Sequence, residues 1–231
     1  MLQTIDYSNV FVVIPVFNEE QTILEVVARS VHSAGYSIVI VDDGSTIPVL
    51  LEPGNRFYLI RHQVNLGQGA ALQTGFEFAK SKGAEYVVTF DADGQHQTSD
   101  IEKLLLPLYN NETDICLGSR FISRQEGNIS KGRIFTLKVA RVINFFFTGL
   151  MLSDVHNGLR SFNKKAIQRI FLNENRMAHA TEIIVQVKHS KLRIKEIPVS
   201  ILYSDYSKKK GQTPLNGIKI FLDLLLNKLF E

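Results

Sequence analysis

Two carboxylates stand two positions apart in Asp91-Ala92-Asp93, directly after the apolar run Glu85–Phe90 (EYVVTF). On a strand, successive side chains point to opposite faces, so positions i and i+2 share a side. Paired hard oxygen donors suit Mg2+ or Mn2+, cations that keep waters and take further oxygens from substrate phosphates. Gln95 adds a neutral oxygen and His96 an imidazole just downstream. An Asp-Gly turn capped by its own carboxylates fits the same residues. A metal–diphosphate site is favoured by the company the pair keeps, because other polar clusters also follow apolar strands.

Asp42-Asp43-Gly44-Ser45 closes the run Ser37–Val41. It reads either as an Asx-turn or as a carboxylate that accepts an N–H of a nucleobase. Pro15-Val16-Phe17-Asn18-Glu19-Glu20 reads either as a capped helix start or as a rigid strand end offering backbone groups and a carboxylate to a nucleoside. Asn65-Leu66-Gly67-Gln68-Gly69-Ala70-Ala71 opens a helix whose first amides can meet an anion, while its glycines serve tight packing equally well. It lacks the Lys-Ser/Thr of a P-loop and the third glycine of G-x-G-x-x-G, and it follows the third strand, which excludes most ATPase and NAD-enzyme readings. There is no G-x-S-x-G and no H-E-x-x-H, and the six histidines have no metal-ligand spacing.

These clusters need elements to hold them. Val10–Val16 (VFVVIPV) is a β-branched run of the kind buried on both faces, and Glu19 to Ala34 has helical spacing. Strands at Ser37–Val41, Phe57–Ile60, Glu85–Phe90 and Thr113–Leu117 alternate with helices at Gly67–Lys82 and Ile101–Tyr109. That alternation predicts right-handed βαβ units and a mostly parallel sheet with helices on both faces, in which ligands sit beyond the carboxyl ends of the strands. The clusters at 17–20, 42–45 and 91–96 should then meet on one rim. Downstream, helices are expected over Ile134–Leu152, Lys164–Phe171, Thr181–His189 and Pro214–Phe230, and a strand over Leu192–Val199. Without a repeat or low-complexity linker, residues 1–231 read as a single domain.

At 231 residues and 45% apolar content the chain has an ordinary globular core, and its one cysteine, Cys116, excludes a disulfide framework and a Cys-rich zinc module. No apolar run reaches the roughly 20 residues that span a bilayer. The start MLQTIDYSN has no secretory pattern, so a cytoplasmic setting is expected. Charge is divided unevenly. Residues 1–118 hold 6 Lys and Arg against 15 Asp and Glu, and residues 119–231 hold 20 against 8. Arg120, Arg124, Lys131, Arg133, Lys138 and Arg141 cluster in one window, and a second ends in Lys208, Lys209 and Lys210. Two readings fit: a polyanionic partner or a solvated basic surface. Nucleic acid is disfavoured, because neither window carries a recognition module.

Taken together, FVVIPVFNEE, VIVDDGS, NLGQGAALQTGF and VTFDADGQH resemble family 2 glycosyltransferases with the GT-A fold. GSRF (118–121), SDVHNGLRSF (153–162) and EIPVSILYSDYSKKKGQ are similar to the branch that makes polyprenyl-phosphate sugars. The resemblance implies a nucleotide-sugar half over about 1–118 and an acceptor- and membrane-facing half over about 119–231. Pro15, Phe17 and Glu19 would line the nucleoside pocket, with Asp43 on the base, Val41 beside it, and Gly67 and Gln68 in the nucleotide site. Asp91, Asp93 and Gln95 would bind the divalent metal, and Ala92 would lie near the ribose. Arg120, with Lys131 or Arg133, would hold the acceptor phosphate.

The implied reaction is an inverting transfer of GlcNAc or glucose from a nucleotide sugar, UDP-linked by resemblance, to a polyprenyl phosphate such as undecaprenyl phosphate, serving cell-envelope polysaccharide. A phosphate monoester with a second pKa of about 6 is largely dianionic at neutral pH, so it needs positioning more than a base. Val142–Leu152 and Ile218–Phe230 read either as core helices or as helices lying on an anionic membrane, which would make the protein peripheral on the inner face of the cell membrane. A small membrane-protein partner or self-association is a further expectation. Two rivals remain at this point: a hydroxyl acceptor with Glu182 as general base, and a catalytically silent scaffold in a membrane complex.

Overall fold

The computed structural model describes residues 7–51, 54–122, 142, 145 and 149–202. Seven strands form one sheet: β1 (Val10–Val16), β2 (Ser37–Asp42), β3 (Phe57–Arg61), β4 (Tyr86–Thr89), β5 (Ile115–Ser119), β6 (Arg160–Asn163) and β7 (Ile194–Pro198). Their spatial order is β3-β2-β1-β4-β6-β5-β7. Every neighbouring pair is parallel except those made by β6, which runs antiparallel to both β4 and β5. Helices α1 (Gln21–Ser33), α2 (Gln68–Ser81), α3 (Ser99–Tyr109), α4 (Lys164–Arg169) and α5 (His179–His189), with a 3-10 turn at Tyr7–Asn9, complete the described elements.

The strands divide their side chains by parity, as the pleat requires. From β1, Val10, Val12, Ile14 and Val16 enter one core layer with Leu24, Val27 and Val31 of α1 and Ile101, Leu104 and Leu105 of α3. Phe11 and Val13 enter the other, with Leu72 and Phe76 of α2, Ile167 of α4 and Ile183 and Ile184 of α5. Both faces of β1 are therefore dry, which explains its unbroken apolar run.

Three expectations change. β4 ends at Thr89, so Asp91 and Asp93 lie in a turn beyond the strand and owe their common side to that turn, not to the pleat. The strand β6 carries no apolar alternation strong enough to announce it. The helix expected over Ile134–Leu152 does not reach its predicted end: Gly149 takes φ 67° and its N–H donates to the carbonyl of Phe145 at 2.7 Å, and residues 149–152 are not helical. Most of that segment, Lys131, Arg133, Lys208–Lys210 and the helix expected over Pro214–Phe230 lie outside the described residues. Among the described residues no helix is long and apolar enough to cross a membrane.

Close contacts fix α2 on the sheet. A Cβ on Gly75 would stand 2.2 Å from Cγ1 of Val13, so the helix backbone rests directly on β1. At its other end, a Cβ on Gly69 would stand 3.0 Å from Cβ of His179, the first residue of α5. His179 is buried, and its Nδ1–H donates to the carbonyl of Arg176 at 2.6 Å. Burial, helped by the charge of Arg160, pushes this imidazole down to about 4 against the opposing pull of the Arg176 carbonyl and Asp91.

Two outcomes follow. Gly75→Ala should overpack the α2–β1 contact and cost about 1–3 kcal/mol in urea unfolding. Because the folded pKa of His179 is about 4, below the ordinary value of 6.5, the unfolded chain binds more protons between those values. Its contribution is complete above pH 6.5 and is lost as pH falls toward 4, on the order of 3 kcal/mol. Urea titrations of wild type and His179→Gln across that window should show a shallower pH slope for the variant.

Candidate active site

Since β4 and β5 are each antiparallel to β6, they are parallel to one another, and their carboxyl ends share a rim with those of β1, β2, β3 and β7. The strand β6 starts where the others finish, so the residues before it, Ser153–Leu159, arrive at that same rim. The expected convergence of the polar clusters is therefore present, with one entering segment among six leaving ones. The rim is cross-linked: Asn18 N–H donates to Oγ of Ser45 at 3.0 Å, and Thr46 N–H donates to Oδ1 of Asn18 at 2.9 Å.

Asp91 lies at the centre. Its Oδ1 accepts from Nε2 of Gln68 at 3.3 Å and its Oδ2 lies 3.1 Å from Nε2 of His96. Burial opposes ionisation, yet His96, His179 and Arg160 together hold the carboxyl below the usual range. Asp93 is pushed up, first by burial, then by the charge of Asp91, with Glu19 adding to it. Glu19, Asp91 and Asp93 are thus brought together from the segments that follow β1 and β4. Gln95 donates its amide N–H2 to Oδ2 of Asp93 at 2.6 Å and its backbone N–H to Oδ1 at 3.0 Å. Among the described residues, no group of three or more His, Cys, Asp or Glu side chains could by itself hold a metal ion. Two crowded carboxylates, one of them pushed up by burial and by its neighbour's charge, do fit a hard divalent cation that fills its shell with water and diphosphate oxygens.

The nucleotide-side residues take unequal places. Phe17 is 44% exposed at the rim, and Pro15 and Glu19 are half-buried. Val41 is fully buried under α2 and offers no side-chain surface, and Ala92 is also buried. Asp43, 2% exposed, accepts from Leu66 N–H at 3.0 Å, Gly67 N–H at 2.7 Å and Asn65 Nδ2 at 2.9 Å, and meets His62 Nδ1 at 2.7 Å. Its oxygens thereby staple β2 to the start of α2. Gly69 and Ala70 N–H groups donate to the carbonyl of Asn175 at 2.8 and 3.2 Å. The amides of Gly67, Gly69 and Ala70 thus meet protein acceptors, and the glycines serve the packing alternative: a Cβ on Gly67 would stand 2.2 Å from that carbonyl. Gln68 alone of this loop turns its side chain to Asp91.

Glu182 supports the segment that supplies the Asn175 carbonyl. Its Oε1 accepts from Asn173 N–H at 2.9 Å and its Oε2 from Glu174 N–H at 3.0 Å, so the carboxylate is engaged in shaping the loop that carries Asn175.

Arg120 follows β5. Its Nε donates to Oδ2 of Asp154 at 2.6 Å and its Nη2 to Oδ1 at 2.7 Å, a bidentate pair in which Asp154 is buried. A phosphate at Arg120 would share the guanidinium with this carboxylate. Asn157 Nδ2 reaches Oδ2 of Asp154 at 3.4 Å, and a Cβ on the next residue, Gly158, would stand 2.0 Å from Oδ2 of Asp91. The turn 154–158 thus touches Asp91 on one side and the partner of Arg120 on the other. The sequence marks it only by Asn157-Gly158, a turn dipeptide whose glycine permits the close approach.

Comparison with known proteins agrees with this geometry. Residues 11–171 match the family described as Glycosyl transferase family 2. The chain is 33% identical to the UDP-N-acetylglucosamine--dolichyl-phosphate N-acetylglucosaminyltransferase of Methanococcus voltae, over 95% of this chain and 96% of the relative. It is also 33% identical to an uncharacterized protein of Methanocaldococcus jannaschii (99% and 96%) and 27% identical to the dolichyl-phosphate beta-glucosyltransferase of Saccharomyces cerevisiae (94% and 73%). Among solved structures, S. aureus TarS 1-349 superposes with a TM-score of 0.56 at 14% identity, covering 94% of this chain and 70% of that one, a likeness of fold. The expected GT-A architecture is the one observed, and the chain belongs to glycosyl transferase family 2.

Proposed function

We propose that the protein transfers a sugar, GlcNAc or glucose, from a UDP-linked donor to a polyprenyl phosphate at a membrane surface. The observation that carries this reading is the single rim on which a carboxylate pair and a bidentate Arg–Asp pair stand either side of one turn. The printed activities of the Methanococcus voltae and yeast relatives supply the sugar and the lipid-phosphate class.

Each residue has a task in this reading. Asp91 and Asp93 would hold Mg2+ or Mn2+, with Gln95 keeping Asp93 oriented. That cation would supply charge stabilisation at the leaving diphosphate. Phe17 and Glu19 border the nucleoside, and Asp43 would meet the base only by sharing a carboxylate already engaged with α2. Arg120, oriented by Asp154, receives the acceptor phosphate, whose dianion attacks the anomeric carbon as the nucleotide diphosphate departs, inverting that centre. No general base is required, which fits the structural engagement of Glu182. A lipid-linked sugar of this kind suits export into envelope polysaccharide, with the protein docked peripherally on the inner face of the membrane.

The test is direct. Purified protein, Mn2+ or Mg2+, radiolabelled UDP-GlcNAc or UDP-glucose, and dolichyl or undecaprenyl phosphate in detergent should give a chloroform-soluble labelled product. EDTA should abolish it. Asp93→Asn should lower turnover by about a hundredfold or more, and Arg120→Lys should raise the acceptor KM about tenfold while leaving UDP affinity within about twofold. Label appearing only on a hydroxyl acceptor, or full activity in EDTA, would overturn the reading.

A further inference from the structure

Arg160, the first residue of β6, is 3% exposed, yet no carboxylate is recorded within ion-pair distance of it among the described residues. Its donors go to main-chain carbonyls: Nε to Asn157 at 3.0 Å, Nη2 to Val155 at 2.7 Å and Nη1 to Ala180 at 3.4 Å. A guanidinium so placed is costly unless nearby negative charge and hydrogen bonds compensate it. The compensating charges are Asp91 and Asp154, both of which act on it, while His156 and His179, pushed down first by burial, are pushed further by its charge. Burial draws Arg160 down to about 10, so it stays cationic at neutral pH.

The carbonyls it gathers belong to the turn between the two halves of the site. Drawing Val155 and Asn157 inward sets Gly158 against Asp91 and Asn157 against Asp154. The turn is also pinned from outside, because Thr89 Oγ1 donates to the Gly158 carbonyl at 2.6 Å and Glu196 accepts from Ser153 N–H at 2.7 Å. We propose that Arg160 is a positioning residue that couples the donor side of the site, through Asp91, to the acceptor side, through Asp154 and Arg120. This inference rests on the assignment of donor and acceptor sides made above. A lysine cannot reproduce it, since one ammonium lacks the planar fork that reaches three carbonyls at once.

The experiment uses the full chain bearing Arg160→Lys, checked by thermal melting and gel filtration. UDP–Mn2+ affinity is read by titration calorimetry and acceptor KM and kcat by transfer assay. The expected result is a folded variant in which UDP–Mn2+ affinity and acceptor affinity both weaken, about tenfold each, with kcat about a hundredfold lower. A folded variant with wild-type values for both ligands would overturn the proposal. Calorimetry needs no acceptor, so a wrong acceptor assignment shows itself separately, as wild-type protein that binds UDP but does not label lipid phosphate.

If Arg160→Lys does not fold, a double-mutant cycle in otherwise wild-type protein decides. Gly158→Ala perturbs the Asp91 side and Asp154→Asn the Arg120 side. Losses in kcat/KM that depart from simple multiplication by about tenfold or more support coupling through the turn, and losses that multiply refute it.

Discussion

The carboxylate of Asp91 lies against the backbone of Gly158 with no room for a side chain between them. Much of the site depends on that contact. It requires β6 to enter the sheet beside β4 and in the opposite direction, because only then does the chain ahead of a strand reach the rim where the other strands end. It also requires the neighbouring turn to be held on its far side, which Arg160, Thr89 and Glu196 accomplish from three different strands. A parallel strand in the place of β6 would deliver residues following Asn163 to the rim and leave Asp154 and Arg120 without their pairing.

The start of α2 shows how the helix dipole is used. The amides of Leu66 and Gly67 are taken by Asp43, and those of Gly69 and Ala70 by the carbonyl of Asn175, which Glu182 holds in place through its loop. An aspartate at a helix N-terminus is favourable, and here it joins β2, the β3–α2 connection and α2 into one block. With that positive end occupied by the protein's own acceptors, the charge of a diphosphate in the proposed reaction would have to be met elsewhere, by a cation at Asp91 and Asp93 and by the basic groups across the rim.

Legibility in the sequence followed the strength of burial. β1 and β2 are dry on both faces, so their apolar runs were plain, and the parallel architecture followed from strand–helix alternation. β6 was missed because Arg160-Ser161-Phe162-Asn163 spends a buried position on a guanidinium, and a four-residue strand framed by polar groups leaves no periodic signal. The role of Gly158 lies in a contact between residues far apart in the chain, which no local pattern encodes. The charge asymmetry was legible but its use was not: Glu85 pairs with Lys164, Glu112 with Lys195, and Asp114 with Lys165 and Arg193, so second-half bases neutralise first-half acids within the molecule. The hydrogen bonds of Arg193 and Lys165 hold the buried Asp114 carboxyl far below its ordinary value. Part of the basic excess thus has an internal destination, and only the remainder is available to a polyanion.

The departure and return of residues 120–152 have an architectural consequence. Ser119, at the end of β5, and Ser153, ahead of β6, lie side by side with their hydroxyl oxygens 2.5 Å apart, and the backbone N–H of Arg120 donates to Asp154. Whatever the chain builds between those points, it leaves and rejoins the scaffold at one doorway. Doubling the length of a connection closed between two neighbouring points costs only about 0.6 kcal/mol in closure entropy. The register of β5 against β6 is set by the sheet and not by the insert. Such a doorway lets the length of chain between Ser119 and Ser153 change while β5, β6 and the turn that reaches Asp91 keep their places.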